Sequence, residues 1–264
     1  MFDKSGMALF AGIAGLLSVI VGWLVTVRLF ALARKTRAVP EQLLAVAFGG
    51  LFCVGYPMAG ASRAPGLEMT TEGALLFTIG SIGMIVGASA LGRFPYVVFR
   101  PGNRWAALLS FVLAALGVIG GLGCAASVVF ATSREAMIAN IQSWALALMI
   151  SIMAIYGWNA FESFRYYGIM KRREKLGLAN AETTHRFRLW AIASGCSVVS
   201  IGSIAVIRAS GVPILSSMPM SIISCTTLVT TTCWWLAFFM PDGYRRRVLG
   251  IQPESASDGS ADPA

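Results

Sequence analysis

The sequence predicts an all-α integral membrane protein, a seven-transmembrane-helix bundle with its N-terminus outside and its C-terminus cytoplasmic. Three observations carry that reading. Seven stretches free of Asp, Glu, Lys and Arg are each long enough to cross a bilayer, which takes about 20 apolar residues per helix. Only 12% of the 264 residues are charged, where a soluble domain carries about twice that share. The Lys and Arg that remain alternate between rich and poor loops along the chain.

The charge-free stretches are Ser5–Val27, Gln42–Ser62, Gly73–Gly92, Trp105–Ser133, Ala136–Phe161, Leu189–Ile207 and Ala209–Pro241. They define a transmembrane domain over 1–247, with spans near 7–33, 41–61, 72–92, 105–131, 138–168, 186–208 and 213–240. Span 1 is too long for a signal peptide, lacks a small-residue cleavage site and runs into a basic cluster, so it reads as a retained helix. In span 2, Pro57 falls near the outer end. Span 3 has Glu72 in its first turn, where the helix dipole favours an acid, with Glu68 four residues before it. Spans 3 and 4 carry Gly80, Gly83 and Gly87, then Gly117, Gly120, Gly121 and Gly123. Small residues at such spacing let helix backbones approach closely. They serve packing within the chain first, and a homo-oligomer face through these Gly-rich helices second.

Span 5 opens from the outside with Asn140, Gln142 and Trp144 and is expected to run past the membrane to Lys175. Gly177 suits the left-handed position after a helix end. Asn180 is then the cap of span 6, with Glu182 in its first turn. Spans 6 and 7 are separated by one charge, Arg208, with Gly211 and Pro213 supplying the turn. Pro219 lies in the outer part of span 7, and Trp234 and Trp235 mark its inner interface. Residues 248–264 are small and polar and read as a disordered cytoplasmic tail.

Orientation follows from the basic loops. The loops after spans 1, 3, 5 and 7 hold 17 of the 21 Lys and Arg, and the opposite side holds Lys4, Arg63, Arg134 and Arg208. The richer side is cytoplasmic. The net charge of +9 is therefore spread over every inner loop rather than gathered on a nucleic-acid-binding face, and its partners are the lipid bilayer and anionic lipid headgroups. Arg (17) far exceeds Lys (4), a bias that points to the plasma (inner) membrane of a bacterium.

Candidate functional residues fall in three groups. Asn159, Glu162 and Arg165 share one face of span 5, and an ionisable group within a membrane-like stretch is a site hypothesis by default. Glu162 reads either as one half of an interfacial ion pair with Arg165 or as a gating carboxylate. In span 7 the hydroxyls of SCTTLVTTTCWW fall on two sides of the helix. Ser221, Ser224 and Cys225 form the candidate stripe, and the others return their hydroxyls to carbonyls one turn back. On the inner loop, Lys171, Arg172, Arg173, Lys175, Arg186 and Arg188 form a platform for lipid or for a cytoplasmic protein or membrane-complex partner.

Other chemistries lack their residues. Five cysteines form no CxxC pair and one His, His185, stands alone, so no metal site is expected. Haem ligated by two His needs a second one, and no nucleotide-binding glycine loop is present, so no cofactor is expected. The layout resembles that of rhodopsins and G-protein-coupled receptors, with seven helices, an outside N-terminus and a long third inner loop. A rhodopsin's Schiff-base Lys has no counterpart in span 7. Two function classes result. The first is a non-enzymatic sensor, scaffold or assembly subunit using the basic 165–188 loop. The second is a small-solute or lipid transporter or channel with Glu162 as its key ionisable group.

Overall fold

In the computed structural model, which describes residues 4–67, 69–210 and 217–249, every regular element is helical. The helices are α1 (Lys4–Thr36), α2 (Val39–Phe48), a π-helical segment (Gly49–Gly55), α3 (Tyr56–Ala61), α4 (Thr71–Phe99), α5 (Arg104–Val129), α6 (Arg134–Lys175), α7 (Ala181–Ser210), α8 (Ser217–Phe239) and α9 (Asp242–Leu249). Seven of the resulting helical stretches are long and apolar enough to cross a membrane, with α2, the π segment and α3 forming one of them. Each stretch packs on the next in the chain, and α8 returns to α1. Their outward faces are apolar: Phe111 keeps 70% of its surface and Val206 68%, as suits a lipid-facing wall and not a water-facing one.

The helix-end readings at Glu72, Lys175, Gly177 and Asn180 are found in the helices, and Thr70 adds a cap. Thr70 caps α4 by accepting a hydrogen bond from the Gly73 N–H at 3.0 Å, and Glu72 sits in the first turn. The fifth stretch runs to Lys175, Gly177 takes a positive φ of 69°, and Asn180 accepts from the Glu182 N–H at 2.8 Å. Pro219 lies in the first turn of α8, where its missing N–H costs nothing. Glu68 and the Gly211–Pro213 turn lie outside the described residues. Of the expected tail, Val248 and Leu249 belong to α9, and 250–264 lie outside the described residues.

Span 2 departs from expectation. Its break falls in the middle of Val39–Ala61, not near one end, and it is a π segment. Pro57 explains it. The Tyr56 N–H still bonds five residues back, to the Leu51 carbonyl. The next bond in that register would run from residue 57 to the Phe52 carbonyl, and proline has no N–H to give. The Trp23 indole N–H of α1 donates to the Phe52 carbonyl instead, at 2.8 Å. A carbonyl left bare inside an apolar stretch is costly, so this contact between helices takes over a bond the backbone cannot make.

Glycines set how near the neighbouring helices come. A Cβ on Gly50 would lie 2.7 Å from the Gly83 carbonyl oxygen and 2.7 Å from the Gly87 nitrogen, and one on Gly83 would lie 2.9 Å from the Gly50 oxygen. The π segment and α4 thus touch backbone to backbone. Along α5, Gly120 meets the Leu148 backbone of α6, and Gly123 meets the Trp144 ring. These faces are occupied within the chain. Gly22 of α1 leaves room for the Phe52 ring, 2.3 Å from where its Cβ would stand.

Gly83→Ala is therefore expected to cost about 1–3 kcal/mol through overpacking against backbone that cannot yield. Gly12→Ala, where a Cβ meets nothing within 4 Å, is expected to change stability little. Thermal unfolding of both variants in one detergent checks this; equal midpoints would remove the backbone contact as a determinant of the fold.

Candidate functional site

A cavity of about 410 Å³ opens midway along the helices, walled by α1, the π segment, α3, α6, α7 and α8. Val19, Ile201, Ile204 and Ile223 give it aliphatic surface, and Phe52, Tyr56, Tyr156 and Trp234 give it aromatic surface. Hydroxyls come from Ser18, Ser197, Ser200, Thr227 and Thr230. No charged side chain is among its described lining residues.

Some of these hydroxyls are engaged. Ser197 donates to the Ala193 carbonyl at 3.0 Å, Thr230 donates to the same carbonyl at 3.2 Å, and Ser200 pairs with Thr226. Ser18, Thr227, Tyr56 and Tyr156 have no protein hydrogen-bond partner among the described residues, although Tyr156 is only 5% exposed. Trp234 is 4% exposed and its indole N–H is unpartnered. This corrects the expectation of an interfacial anchor: Trp234 is core, because Phe48 and Phe52 meet it edge-on at 5.0 and 5.1 Å. Trp235 stacks on Phe239 at 4.3 Å.

The helix wheel of α8 resolves accordingly. The side turned to the cavity carries Ile223, Thr227, Thr230 and Trp234. Ser221 lies beside Met7, Ser224 is buried, and Cys225 is exposed; none of the three lines the cavity. Thr226 and Thr232 return their hydroxyls to carbonyls four residues back, at 2.8 Å each, as expected of hydroxyls in an apolar helix.

From the cavity an aromatic column runs along the interior. Phe52 and Trp234 contact Phe48, which meets Trp190 and Phe238; Trp190 stacks on Phe94 at 5.8 Å. Phe94 meets Phe99, and Phe99 meets Tyr166 and Phe187. The column ends beside the Arg- and Lys-rich end of α6 and α7.

Glu162 lies at that end, fully buried. Its Oε1 accepts from Arg100 Nε at 2.7 Å, and its Oε2 from Arg165 at 3.4 Å. Sequence reasoning named Arg165 and missed Arg100, which caps the C-terminus of α4 and lies over the Trp105 ring at 5.5 Å. The only sequence signal was that Arg100 stands beyond a charge-free span, at the depth of Glu162. Asn159 does not join this pair. Its side-chain amide donates to the Leu91 and Ile155 carbonyls at 3.3 and 2.9 Å. Pro95, buried inside α4, explains the first bond: Leu91 is four residues before it, and the helical donor its carbonyl needs is missing. Asn159 is thus the counterpart of Trp23, a side chain supplying a proline's absent N–H.

The basic platform divides. Lys171, Arg172, Arg173 and Lys175 are exposed, as is Arg188. Arg186 is held by Glu182 at 2.6 Å, and Glu182 also accepts from Arg245 of α9 at 2.9 Å. His185 and Tyr244 meet at 2.6 Å, so α9 is pinned to the start of α7 by two contacts. Burial raises the Tyr244 hydroxyl above its ordinary range, Cys233 adds to this and Arg188 opposes it. At the opposite end a smaller cavity of about 260 Å³ is lined by Arg63, Arg134 and Gln142 among apolar side chains; Asn140 is exposed outside it. No group of His, Cys, Asp and Glu among the described residues is arranged to hold a metal ion.

Neither family models, curated proteins nor solved structures yield a match to this chain.

Two predictions follow the proline and ion-pair geometry. Asn159→Leu is expected to destabilise by about 1–3 kcal/mol by baring a buried carbonyl, and by clearly less in a Pro95→Ala chain, whose new N–H can serve Leu91. An unchanged cost in that background would break the link between the two residues. Arg100→Gln is expected to cost about 3 kcal/mol because it strips the nearer partner from a buried carboxylate, with most of the loss recovered by adding Glu162→Gln. Denaturant unfolding in detergent reads both; additive losses in the second pair would show that the charges do not act together.

Proposed function

We propose that this chain is a non-enzymatic sensor of the bacterial plasma membrane that takes a small ligand into its central cavity and reports occupancy at its cytoplasmic end. The observation that carries this is the continuity between an uncharged cavity midway along the helices and a packed aromatic column that ends among the basic residues of α6 and α7. Close-packed interiors transmit displacement because they have no slack, so a change at Phe52 or Trp234 is passed ring to ring. The π segment supports the same reading, since such segments interrupt helices where function needs an irregular backbone. The distribution of Lys and Arg supports an N-terminus outside and a cytoplasmic C-terminus. In that orientation Lys171, Arg172, Arg173 and Lys175 face anionic headgroups or an acidic cytoplasmic partner.

The transporter reading is less favoured, because Glu162 is not on the cavity wall and both its oxygens are held by arginines. A carboxylate clamped in this way is a structural ion pair.

A C-terminal green fluorescent protein fusion is expected to fluoresce and a C-terminal alkaline phosphatase fusion to be inactive; the opposite pair would invert the orientation. Gly15→Phe, which puts a ring into the cavity, is expected to alter hydrogen exchange at 165–188 and 242–249, far from the substitution. Unaltered exchange there would sink the sensor reading, and solute flux in proteoliposomes lost with Glu162→Gln would replace it with transport.

A further inference from the structure

We infer that the cavity takes a neutral, mainly apolar molecule carrying a carbonyl-type oxygen, which accepts a hydrogen bond from Tyr156. This rests on the cavity being a ligand site, and it narrows the ligand to one chemical class.

Charge is the first filter. None of the described lining residues is ionisable at neutral pH, and a buried ion without a counter-ion is strongly disfavoured. A carboxylate or ammonium ligand has nothing to meet. Polarity is the second. Several serines and threonines of these helices satisfy their own donors: Ser197, Ser203, Thr226 and Thr232 each bond the carbonyl four residues back, and Ser18 and Thr227 are short enough to do the same by rotation. A tyrosine hydroxyl stands too far from its own helix to do so. Tyr156 is therefore a donor on this wall that depends on something outside its helix, as is the buried Trp234 indole N–H, and neither has a protein acceptor among the described residues. Tyr56, 39% exposed, is a second phenol on the same wall. The Trp234 indole N–H can only donate, and buried without an acceptor it is costly; a phenol beside it donates well, so the complementary group is an oxygen acceptor. Shape is the third. Phe52 and Trp234 give flat aromatic surface beside the phenols, and Ile201, Ile204 and Ile223 give aliphatic surface for an apolar body. The volume is within the range of small-molecule sites.

The probes are three tritiated naphthalenes of nearly one shape: 2-acetylnaphthalene, 2-ethylnaphthalene and 2-naphthoate. Each is titrated against the full chain in nanodiscs, with empty nanodiscs subtracted. The ketone is expected to bind saturably, the hydrocarbon about three- to tenfold more weakly, as the loss of one hydrogen bond implies, and the carboxylate not at all. Tyr156→Phe is expected to bring the ketone to the level of the hydrocarbon and leave the hydrocarbon unchanged. Gly15→Phe is expected to abolish both; Gly15 is on the cavity wall and a Cβ there meets nothing within 4 Å, so a side chain can start there and take up the cavity space. Equal affinity for ketone and hydrocarbon, preference for the carboxylate, no saturable ketone binding, or a Tyr156→Phe chain that binds the ketone as before each overturns the assigned class. If Gly15→Phe still removes whatever probe binding is seen, the cavity stands as a ligand site and the class alone is wrong. If probe binding survives Gly15→Phe, the cavity reading falls with it.

Discussion

Two prolines inside apolar helices leave two carbonyls without their helical donors, and the interior is arranged around supplying them. In water a bare carbonyl is hydrated at little cost, but in an apolar helix stack the donor must come from the protein. For Pro57 the donor is Trp23 of α1, and for Pro95 it is Asn159 of α6. Each bond fixes a rotation and a depth for a helix distant in sequence. The first ties α1 to the π segment, and the second ties α6 to α4.

Close approach of the helices then follows. With Gly50, Gly83 and Gly87 in the seam, the π segment meets α4 without intervening side chains, and its bulk is thrown to the other side. That side presents Phe52, flanked by Phe48 at the end of α2, to α1, α7 and α8, where Gly22 leaves the space one ring needs. Aromatic pairs contribute about 0.5–1.5 kcal/mol each beyond their burial, so the column is both a core and a rigid connection. The cavity lies where the column stops and α1 turns small residues, Gly15 and Ser18, inward.

Polarity is segregated with the same logic. Charge is kept to the two ends of the helices; at the basic one Glu162 has two arginines and Glu182 has Arg186 and Arg245. Hydroxyls and one indole are placed midway, where full charges could not be neutralised. A protein built to move an ion would need its carboxylate on the path. Here the carboxylate holds α4 to α6, and the path-like space is lined by groups suited to neutral chemistry. Function, on this reading, depends on recognition at the cavity and on the stiffness of what lies below it.

Much of this was determined by the sequence alone, because the requirements of an apolar solvent are local. The seven long apolar helices, the run of α6 to Lys175, the Gly177 turn and the Asn180 cap all depend on residues within a few positions of one another. So does the return of Thr226 and Thr232 to their own helix. The tertiary structure decided which residues answer one another across the fold. Arg100 reaches Glu162 over 62 positions, and Asn159 serves Leu91 over 68. Periodicity grouped Asn159 with Glu162, yet one repairs a helix and the other closes an ion pair. The hydroxyl side of α8 that meets the cavity was equally undetermined, because a helix with polar residues on two faces shows both and packing selects one. Tyr56 and Tyr156 carry no local signal at all: a phenol becomes a candidate ligand group only when the surrounding helices enclose it and leave it no other acceptor.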